Sequence, residues 1–286
     1  MKKIHFLNIF LIFIFNLVAS ANVSAVNLRY NKGEDPNADY CVAMLKLALS
    51  KIGGNYTYEP VFGEMTQTRQ VEDVKNGKLD VMWAGTSKDI EDEVEPARVP
   101  LYKGLLGHRF LIIRKGDQAR FDSVKNINDL RSIALGQGTA WIDTKVLEAN
   151  QLNVVKTMKY QNLFYMLDGS RFDAFPRAVF EPFNEIATHP ELNLAVEEHL
   201  MLVYKMDFYL FVNKNNKQLA RDLERGLDIA IADGSFDKIF FSSPLVQEAI
   251  SKGNLKNRIV IPLDNPFNSP ETPIDRAEYW IDPKTL

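Results

Sequence analysis

Short apolar runs and helical apolar spacings follow one another along most of the chain. Runs bounded by turn residues predict strands, and apolar residues three and four positions apart predict helices. The predicted strands are 26–30, 56–61, 79–83, 107–114, 132–135, 154–157, 171–175 and 208–212. The predicted helices are one that runs from Asn37 or Asp39 to Ile52, and 66–76, 140–149, 161–167 and 217–232. Strands alternating with helices predict parallel sheets with crossover helices, and therefore an α/β fold.

These elements form two series with no Ser/Pro-rich linker between them, which predicts two lobes joined by strands. The 286-residue length also favours about two domains. The last segment, Asn265 to Leu286, contains four prolines. It predicts an irregular arm over one lobe or a disordered end.

The first 25 residues have the pattern of an export signal. A basic start at Lys2 and Lys3 precedes an apolar stretch from Phe6 to Ala19, which is too short to span a bilayer. Small residues around 19–21 and 23–25 predict cleavage after residue 21 or 25. The alternative is a buried N-terminal helix or an uncleaved anchor. We expect a periplasmic mature chain without membrane insertion.

Composition narrows the function classes. The chain is 46% hydrophobic and 25% charged, with a formal net charge of -3, so it lacks the basic excess typical of nucleic-acid binding. Its single cysteine, Cys41, excludes a disulfide framework and a Cys-rich zinc site, and its helical spacing predicts a packed core position. The four histidines show no metal-ligand spacing. No metal, no cofactor and no nucleic-acid partner is predicted.

Several short motifs, in this order, resemble those of one family. They are Asn76-Gly77-Lys78-Leu79-Asp80, Ala84-Gly85-Thr86-Ser87, Pro100-Leu101-Tyr102, Gly136-Gln137-Gly138-Thr139, Gly169-Ser170-Arg171-Phe172-Asp173-Ala174 and Asp233-Gly234-Ser235-Phe236-Asp237-Lys238-Ile239. Together they resemble the bacterial extracellular solute-binding proteins of family 3, the polar amino-acid receptors of ABC transporters. The chain resembles an atypical member, and the likeness covers nearly all of the mature sequence.

The resemblance implies the two-lobe type II periplasmic-binding-protein fold, in which each lobe is a mostly parallel sheet flanked by helices. It implies two hinge crossings, near residues 108–109 and 207–208. Lobe 1 would comprise residues 26–108 and 208–286, including the C-terminal tail, and lobe 2 residues 109–207. The implied function is a monomeric receptor that closes on a small ligand for uptake through a membrane permease.

Two positions depart from the family pattern. Where the family has an arginine that holds the ligand carboxylate, this chain has Asp92. Where the family has an aspartate that holds the ligand ammonium, this chain has Ala178, next to Arg177. The ligand is therefore expected to differ from a usual α-amino acid, although a different clamp for an ordinary amino acid stays open.

Ten residues are the ligand-binding candidates, each with a structural alternative. Arg98 and Arg177 could hold a carboxylate with paired N–H donors, or could form internal ion pairs. The start of the helix after Gly138 and Thr139 could offer free N–H groups to an anionic oxygen, or could be a plain capping turn. Aromatic walls and loop polar groups complete the set: Tyr30, Trp83, Thr86, Ser87, Gln137 and Trp141. The arginines predict a ligand that bears a carboxylate.

Two other functions remain open at this point. A receptor of this kind could report its ligand to a membrane signalling protein, and sequence does not separate sensing from transport. Some proteins of this fold are dehydratases, for which Glu181 would be the candidate general acid. No nucleophile–base pair or phosphate loop supports an enzyme, so no catalytic residue is predicted.

Overall fold

The computed structural model describes residues 25–33 and 37–286. Apart from Ala25, the predicted signal peptide lies outside the described residues. The strands are β1 (Val26–Lys32), β2 (Tyr56–Phe62), β3 (Val81–Gly85), β4 (Val94–Ala97), β5 (His108–Arg114), β6 (Ala134–Gly138), β7 (Asn153–Thr157), β8 (Ala174–Ala178), β9 (Leu194–Val196), β10 (Leu200–Val203), β11 (Phe208–Asn213) and β12 (Ile259–Pro262). The helices are α1 (Asn37–Ile52), α2 (Gln67–Lys75), α3 (Lys88–Glu93), α4 (Ile127–Leu130), α5 (Ile142–Ala149), α6 (Tyr160–Asp168), α7 (Pro182–Ala187), α8 (Lys217–Ala232), α9 (Ser235–Ser242) and α10 (Pro244–Lys252).

The strands form two sheets, which confirms the prediction of a two-lobe α/β fold. The first sheet has the order β2-β1-β3-β11-β4, and the second has the order β12-β10-β5-β8-β6-β7 with β9 beside β5. Strands β1, β2 and β3 are parallel, as are β6, β7 and β8. Strands β11 and β5 run antiparallel to neighbours in their sheets. Each enters its sheet directly from the other lobe, without a crossover helix, so both sheets are mixed rather than mostly parallel.

The core of the first lobe forms where α1 and α8 pack together. The apolar face predicted for α1 is buried, and Cys41 lies fully inside it, which confirms its expected core position. Gly226 of α8 faces Ala48 of α1 so closely that an added Cβ would meet the Ala48 carbonyl oxygen. A glycine at this position allows the two helices to cross at short range.

The two lobes are joined by adjacent segments around residues 98–107 and 204–207. The Tyr204 amide donates to the Gly107 carbonyl at 2.9 Å, and a Cβ on Gly107 would collide with the Tyr204 carbonyl oxygen. Tyr102 stacks on Phe180 of the second lobe with ring centroids 3.9 Å apart. A continuous apolar cluster therefore runs from one lobe into the other.

The C-terminal part of the chain corrects the expected lobe assignment. Strand β12 pairs in parallel with β10, from Leu200↔Ile259 to Val203↔Pro262, so it belongs to the second sheet rather than to lobe 1. Its apolar residues extend that sheet at an open edge. The chain then returns to the first lobe, where the Ile281 amide donates to the Lys103 carbonyl at 3.0 Å. The tail is an irregular arm as expected, but the chain passes between the lobes more than twice.

Candidate functional site

The loops after β3 and β6 face each other where the lobes meet. Gly85 ends β3, and a Cβ placed on it would collide with the Met206 methyl group and lie 3.8 Å from Cγ2 of Ile142. The glycine therefore lets the second lobe approach the end of this strand. In open α/β sheets, ligands bind outside the carboxyl ends of the strands, which is where these loops lie.

A cavity of about 180 Å³ lies between the lobes at this point. The first lobe contributes Gln67, Thr68, Val71, Glu72, Ser87, Asp89, Ile90 and Glu93. The second lobe contributes Ala140, Ile142 and Lys145. Both lobes are needed to build this space, so a solute bound there would hold them together.

An ion pair closes one side of this cavity. Lys145 Nζ lies 2.6 Å from Asp89 Oδ2, and the two groups belong to opposite lobes. The hydrogen bond from Lys145 holds the pKa of Asp89 below its ordinary value. Because both side chains are exposed, the pair contributes little to stability, and it can open when the lobes separate.

Gln137 occupies a gap between β6 and β8. The two strands pair only near their first residues, at Leu135 and Ala174. Pro176 of β8 has no N–H with which to extend the backbone hydrogen bonds. The Gln137 side chain donates from Nε2 to the Pro176 carbonyl at 3.2 Å instead. Its Oε1 atom is buried and has no hydrogen-bond partner among the described residues. A buried acceptor of this kind is an available partner for a ligand N–H.

Arg177 is held by carboxylates of its own lobe. Its Nε donates to both Glu185 oxygens at 2.9 Å, and its Nη2 lies 2.9 Å from Glu181 Oε1. The Trp141 ring centroid lies 5.1 Å from the guanidinium carbon. Burial alone would lower the pKa of Arg177, but the two carboxylates hold it well above its ordinary value. The structure thus shows the internal ion pairs that the sequence left open as the structural alternative for Arg177.

A second buried arginine, which sequence reasoning missed, lies beside this group. Arg109 donates to Tyr204 Oη at 2.9 Å, pairs with Asp143, and lies 3.8 Å from Glu181 Oε2. Tyr204 in turn donates to Asp143. The cluster joins the hinge segment at Tyr204 to helix α5, whose first turn lines the cavity between the lobes.

Glu181 connects the two arginines. Its Oε2 accepts the Ala178 amide at 2.7 Å, and burial raises the pKa of Glu181 to about 7 against the lowering effect of Arg177. The arginines of this cluster, Arg109 and Arg177, face Asp143, Glu181 and Glu185. Among the described residues, this cluster of two arginines and three acids therefore has no excess of cationic groups.

Two candidates of the first lobe, Thr86 and Arg98, contact Glu91. Thr86 donates to Glu91 Oε1 at 2.6 Å, and Arg98 Nη1 lies 2.7 Å from Glu91 Oε2. Arg98 also pairs with Glu271 of the tail at 2.5 Å. Asp92 is exposed and pairs with Lys88, so the buried acid of this loop is Glu91 rather than Asp92. Arg98 is therefore paired with acids as Arg177 is, although its Nη1 is buried without a hydrogen-bond partner among the described residues.

Asp207 is a further buried acid that sequence reasoning did not single out. Its carbonyl accepts the Thr86 amide at 2.9 Å, and its Oδ2 accepts the Tyr209 hydroxyl. Its Oδ1 is buried without a hydrogen-bond partner among the described residues. Burial raises the pKa of Asp207 to about 7. Because Asp207 lies in the second hinge crossing, its charge is sensitive to how the lobes meet.

The remaining candidates divide between core and surface. Tyr30 and Trp83 are both buried in the first lobe, with ring centroids 6.0 Å apart. Thr139 is exposed, and its amide donates to the Thr157 carbonyl at 3.0 Å, so the expected free N–H at this position is wrong. The Gly138 carbonyl accepts the Thr144 hydroxyl at 2.6 Å. Ser87 caps α3 and lines the cavity.

The structure thus brings the candidates together in three groups rather than one. Gln137, Gly138, Trp141 and Arg177 lie in the second lobe, Thr86, Ser87 and Arg98 lie around α3, and Tyr30 and Trp83 lie in the first-lobe core. The missed residue Glu185 lies eight positions after Arg177, close enough in sequence to have been found. The pairing of Asp143 with Arg109 depends on tertiary packing alone.

In the described residues, no group of three or more His, Cys, Asp or Glu side chains is placed to hold a metal ion. Across the same ranges, no helix is long and apolar enough to cross a membrane.

Comparison with known proteins identifies the fold. No protein-family model matches the chain, and no curated protein matches it. An ancestral arginine-binding protein bound to arginine superposes with a TM-score of 0.56 at 18% identity, covering 76% of this chain and 98% of that one. A Streptococcus pneumoniae amino acid ABC transporter substrate-binding protein bound to L-arginine superposes with a TM-score of 0.57 at 16% identity, covering 79% and 97%.

A histidine kinase sensor domain with similarity to periplasmic binding proteins also superposes, with a TM-score of 0.58 at 14% identity. That match covers 77% of this chain and 96% of the sensor domain. The chain therefore has the two-lobe fold of type II periplasmic binding proteins. These similar structures are binding proteins and a sensor domain, and at these identities the likeness extends to the fold alone.

Proposed function

We propose that this protein is a periplasmic solute-binding protein that closes on a small, amino-acid-like ligand for uptake through an ABC transporter. The observation that carries the proposal is the cavity between the lobes, which is lined by helices α2 and α3 and Ser87 of the first lobe and by residues 140–145 of the second. A ligand that contacts both walls favours the closed state over the open one, and this difference in affinity drives closure.

The size and chemistry of this space support a small ligand that donates hydrogen bonds. Pockets for drug-sized molecules measure roughly 300–1,000 Å³, whereas this cavity measures about 180 Å³. The acids Glu72, Asp89 and Glu93 line the cavity, and they suit an ammonium or amide group. Gln137 Oε1 and Asp207 Oδ1 are not part of this lining, but both are buried acceptors without hydrogen-bond partners among the described residues. The arginines from which the sequence predicted a ligand carboxylate, Arg98 and Arg177, are paired with internal acids, so the proposal of an amino-acid-like solute does not depend on them.

A thermal-shift screen of amino acids, dicarboxylates and short peptides tests the proposal. At about 100 times its Kd, a ligand stabilises the folded state by about 2.7 kcal/mol, which corresponds to a melting shift of roughly 5 °C or more. Small-angle scattering should then show a smaller radius of gyration with ligand. A hit that leaves the radius unchanged would contradict closure.

Two variants with matched chemistry locate the binding site. Gln137→Leu removes the buried acceptor with little change in volume, so we expect it to weaken binding at least tenfold. Gln218→Leu makes the same change on the exposed face of α8 and should bind as the wild type does. Equal affinity in the two variants would place the ligand elsewhere.

The sensor-domain neighbour favours a second function, in which the closed receptor signals to a membrane protein. A strain that lacks this protein distinguishes the two functions. In that strain, we would measure uptake of the identified solute and the transcription that the solute induces. Lost uptake supports transport, and a lost response with normal uptake supports sensing.

We propose no enzymatic activity, because Glu181 is held by Arg177 and the Ala178 amide. Turnover of the recovered ligand, abolished by Glu181→Gln, would overturn this.

A further inference from the structure

A larger cavity, of about 490 Å³, lies in the second lobe outside the junction. It is bounded by helix α7, strand β9 and the segment after α10, and it shares no lining residue with the cavity between the lobes. Its lining consists of Phe183, Ile186, Ala195, Val196, Glu198, Lys252, Asn254 and Arg258. An apolar cavity of about 150 Å³ is enough to bind benzene, so this one has room for a larger ring or chain.

Arg258 is the buried charged group of this cavity, with 6% of its surface exposed. Its Nε donates to the Gly253 carbonyl at 2.6 Å, and its Nη1 donates to the Glu197 and Leu200 carbonyls at 2.6 and 2.8 Å. The guanidinium carbon lies 3.8 Å from the Phe110 ring centroid. These contacts fix the plane of the guanidinium and leave Nη2 as the nitrogen without a hydrogen-bond partner among the described residues.

The positive charge of Arg258 is only partly balanced inside the protein. Glu197 Oε2 lies 3.6 Å from Nη1, but Glu197 already accepts the Leu200 amide at 2.6 Å and the Gln118 amide group at 2.8 Å. Burial lowers the pKa of Arg258 to about 10 in spite of that carboxylate. A buried guanidinium held mainly by neutral carbonyls gains from an added anion, because a carboxylate can take the donor that is left.

The rest of the lining is suited to an apolar body. Phe183 and Ile186 project from α7, and Ala195 and Val196 project from β9. Lys252 is exposed and bonds to Glu248 at 2.6 Å. Glu198 is also exposed, and its negative charge acts on Arg258. The buried end of the cavity thus offers one fixed cationic donor beside four apolar side chains.

We propose that this cavity is a second ligand site, separate from the junction of the lobes, for a carboxylate with a compact apolar body. The carboxylate meets Nη2 of Arg258, and the apolar body lies against Phe183, Ile186 and Val196. This cavity shares no lining residue with the cavity between the lobes, so this proposal does not depend on the proposed transport function.

Isothermal titration of the purified protein with 2-naphthoate, and with the neutral 2-naphthamide, tests the proposal. The two probes have the same ring system and differ in the charge that Arg258 would recognise. We expect 2-naphthoate to bind at least tenfold more tightly, since a charge-assisted hydrogen bond is about twice as strong as a neutral one. Equal affinities would overturn the assignment.

Two substitutions place the probe in this cavity. Ile186→Trp fills the space and should abolish 2-naphthoate binding, whereas Ile274→Trp adds the same ring at a position that is 51% exposed and should leave binding unchanged. Arg258→Gln should remove the preference for the acid over the amide. If Arg258→Gln fails to fold, the Ile186→Trp result still decides, and unaltered affinity in that variant contradicts the site.

Discussion

Replacing Arg177 by methionine tests whether this arginine is an internal ion-pair residue or a ligand anchor. The substitution keeps a long apolar side chain beside Trp141 but leaves Glu181 and Glu185 without their main cation. Removing one partner of a buried pair costs about 3–5 kcal/mol, because the remaining charge is left uncompensated. For a chain of this size that corresponds to a melting temperature roughly 10 °C lower. A solvent-facing ligand anchor would show almost no such loss.

The loss should depend on pH in a defined direction. Glu181 has a folded-state pKa of about 7, raised from 4.5, so between these values the folded state binds more protons than the unfolded state. The stability due to this group is therefore complete at and below about pH 4.5 and falls as the pH rises toward 7. Without Arg177 the pKa of Glu181 rises further, so Arg177→Met should be more destabilised at pH 8 than at pH 5.5.

Urea unfolding followed by tryptophan fluorescence measures this effect at both pH values. Arg120→Met is the control, because Arg120 is half-exposed and pairs with Asp173 at 2.6 Å, so its loss should cost less than about 1 kcal/mol. Adding Glu181→Gln and Glu185→Gln to Arg177→Met should recover most of the lost stability. Wild-type stability in Arg177→Met, together with lost ligand affinity, would refute the ion-pair assignment.

Three further predictions concern the hinge and the junction. Asp207→Asn should flatten the pH dependence of the unfolding free energy between pH 5 and 8. Burial raises the pKa of Asp207 to about 7, so the wild type loses up to about 1.4 kcal/mol per pH unit as this group ionises. The same change in urea midpoint between pH 5 and pH 8 in the variant and the wild type would contradict this. Lys145→Gln removes the contact to Asp89 and should change the urea midpoint by less than about 1 kcal/mol while enlarging the ligand-free radius in small-angle scattering, and an unchanged radius would show that the pair does not hold the lobes. Phe180→Ala removes the ring stacked on Tyr102 and should lower the unfolding free energy by about 3–5 kcal/mol, measured in urea against Phe62→Ala, which removes an exposed ring.

The sequence predicted well the elements whose pattern is local. Helix α8 was expected at 217–232 and has those bounds. Helix α1 ends at Ile52 as expected and begins at Asn37, one of the two starts that the sequence left open. Both have a continuous apolar face and a clear end. Strand β8 was expected at 171–175 but spans Ala174–Ala178, because Pro176 made its second half look like a turn. The short elements α3, β9, β10 and β12 have too few residues to show a period.

The candidate site was harder to predict for a physical reason. The sequence shows which residues can bind an anion but not which acids the fold places against them. Arg177 has the chemistry of a ligand anchor, yet Glu185 comes into contact with it one helix later. Arg109 was treated only as a hinge position, because its partners Asp143 and Tyr204 are distant in sequence. Local motifs located the junction of the lobes, and only the packing showed that its charges are internally paired.

The C-terminal segment changes how closure should be understood. A two-crossing hinge lets the lobes rotate about the segments near 107 and 204, which are hydrogen-bonded side by side. Here β12 is fixed to the second sheet, and the tail that follows it bonds to the first lobe at Phe267 and Ile281. The Phe267 carbonyl accepts the Lys88 amide of α3 at 3.0 Å, next to the cavity between the lobes. Because this segment connects both lobes on the cavity side, opening must stretch or release it, and the free energy of closure includes these tail contacts as well as those of the ligand.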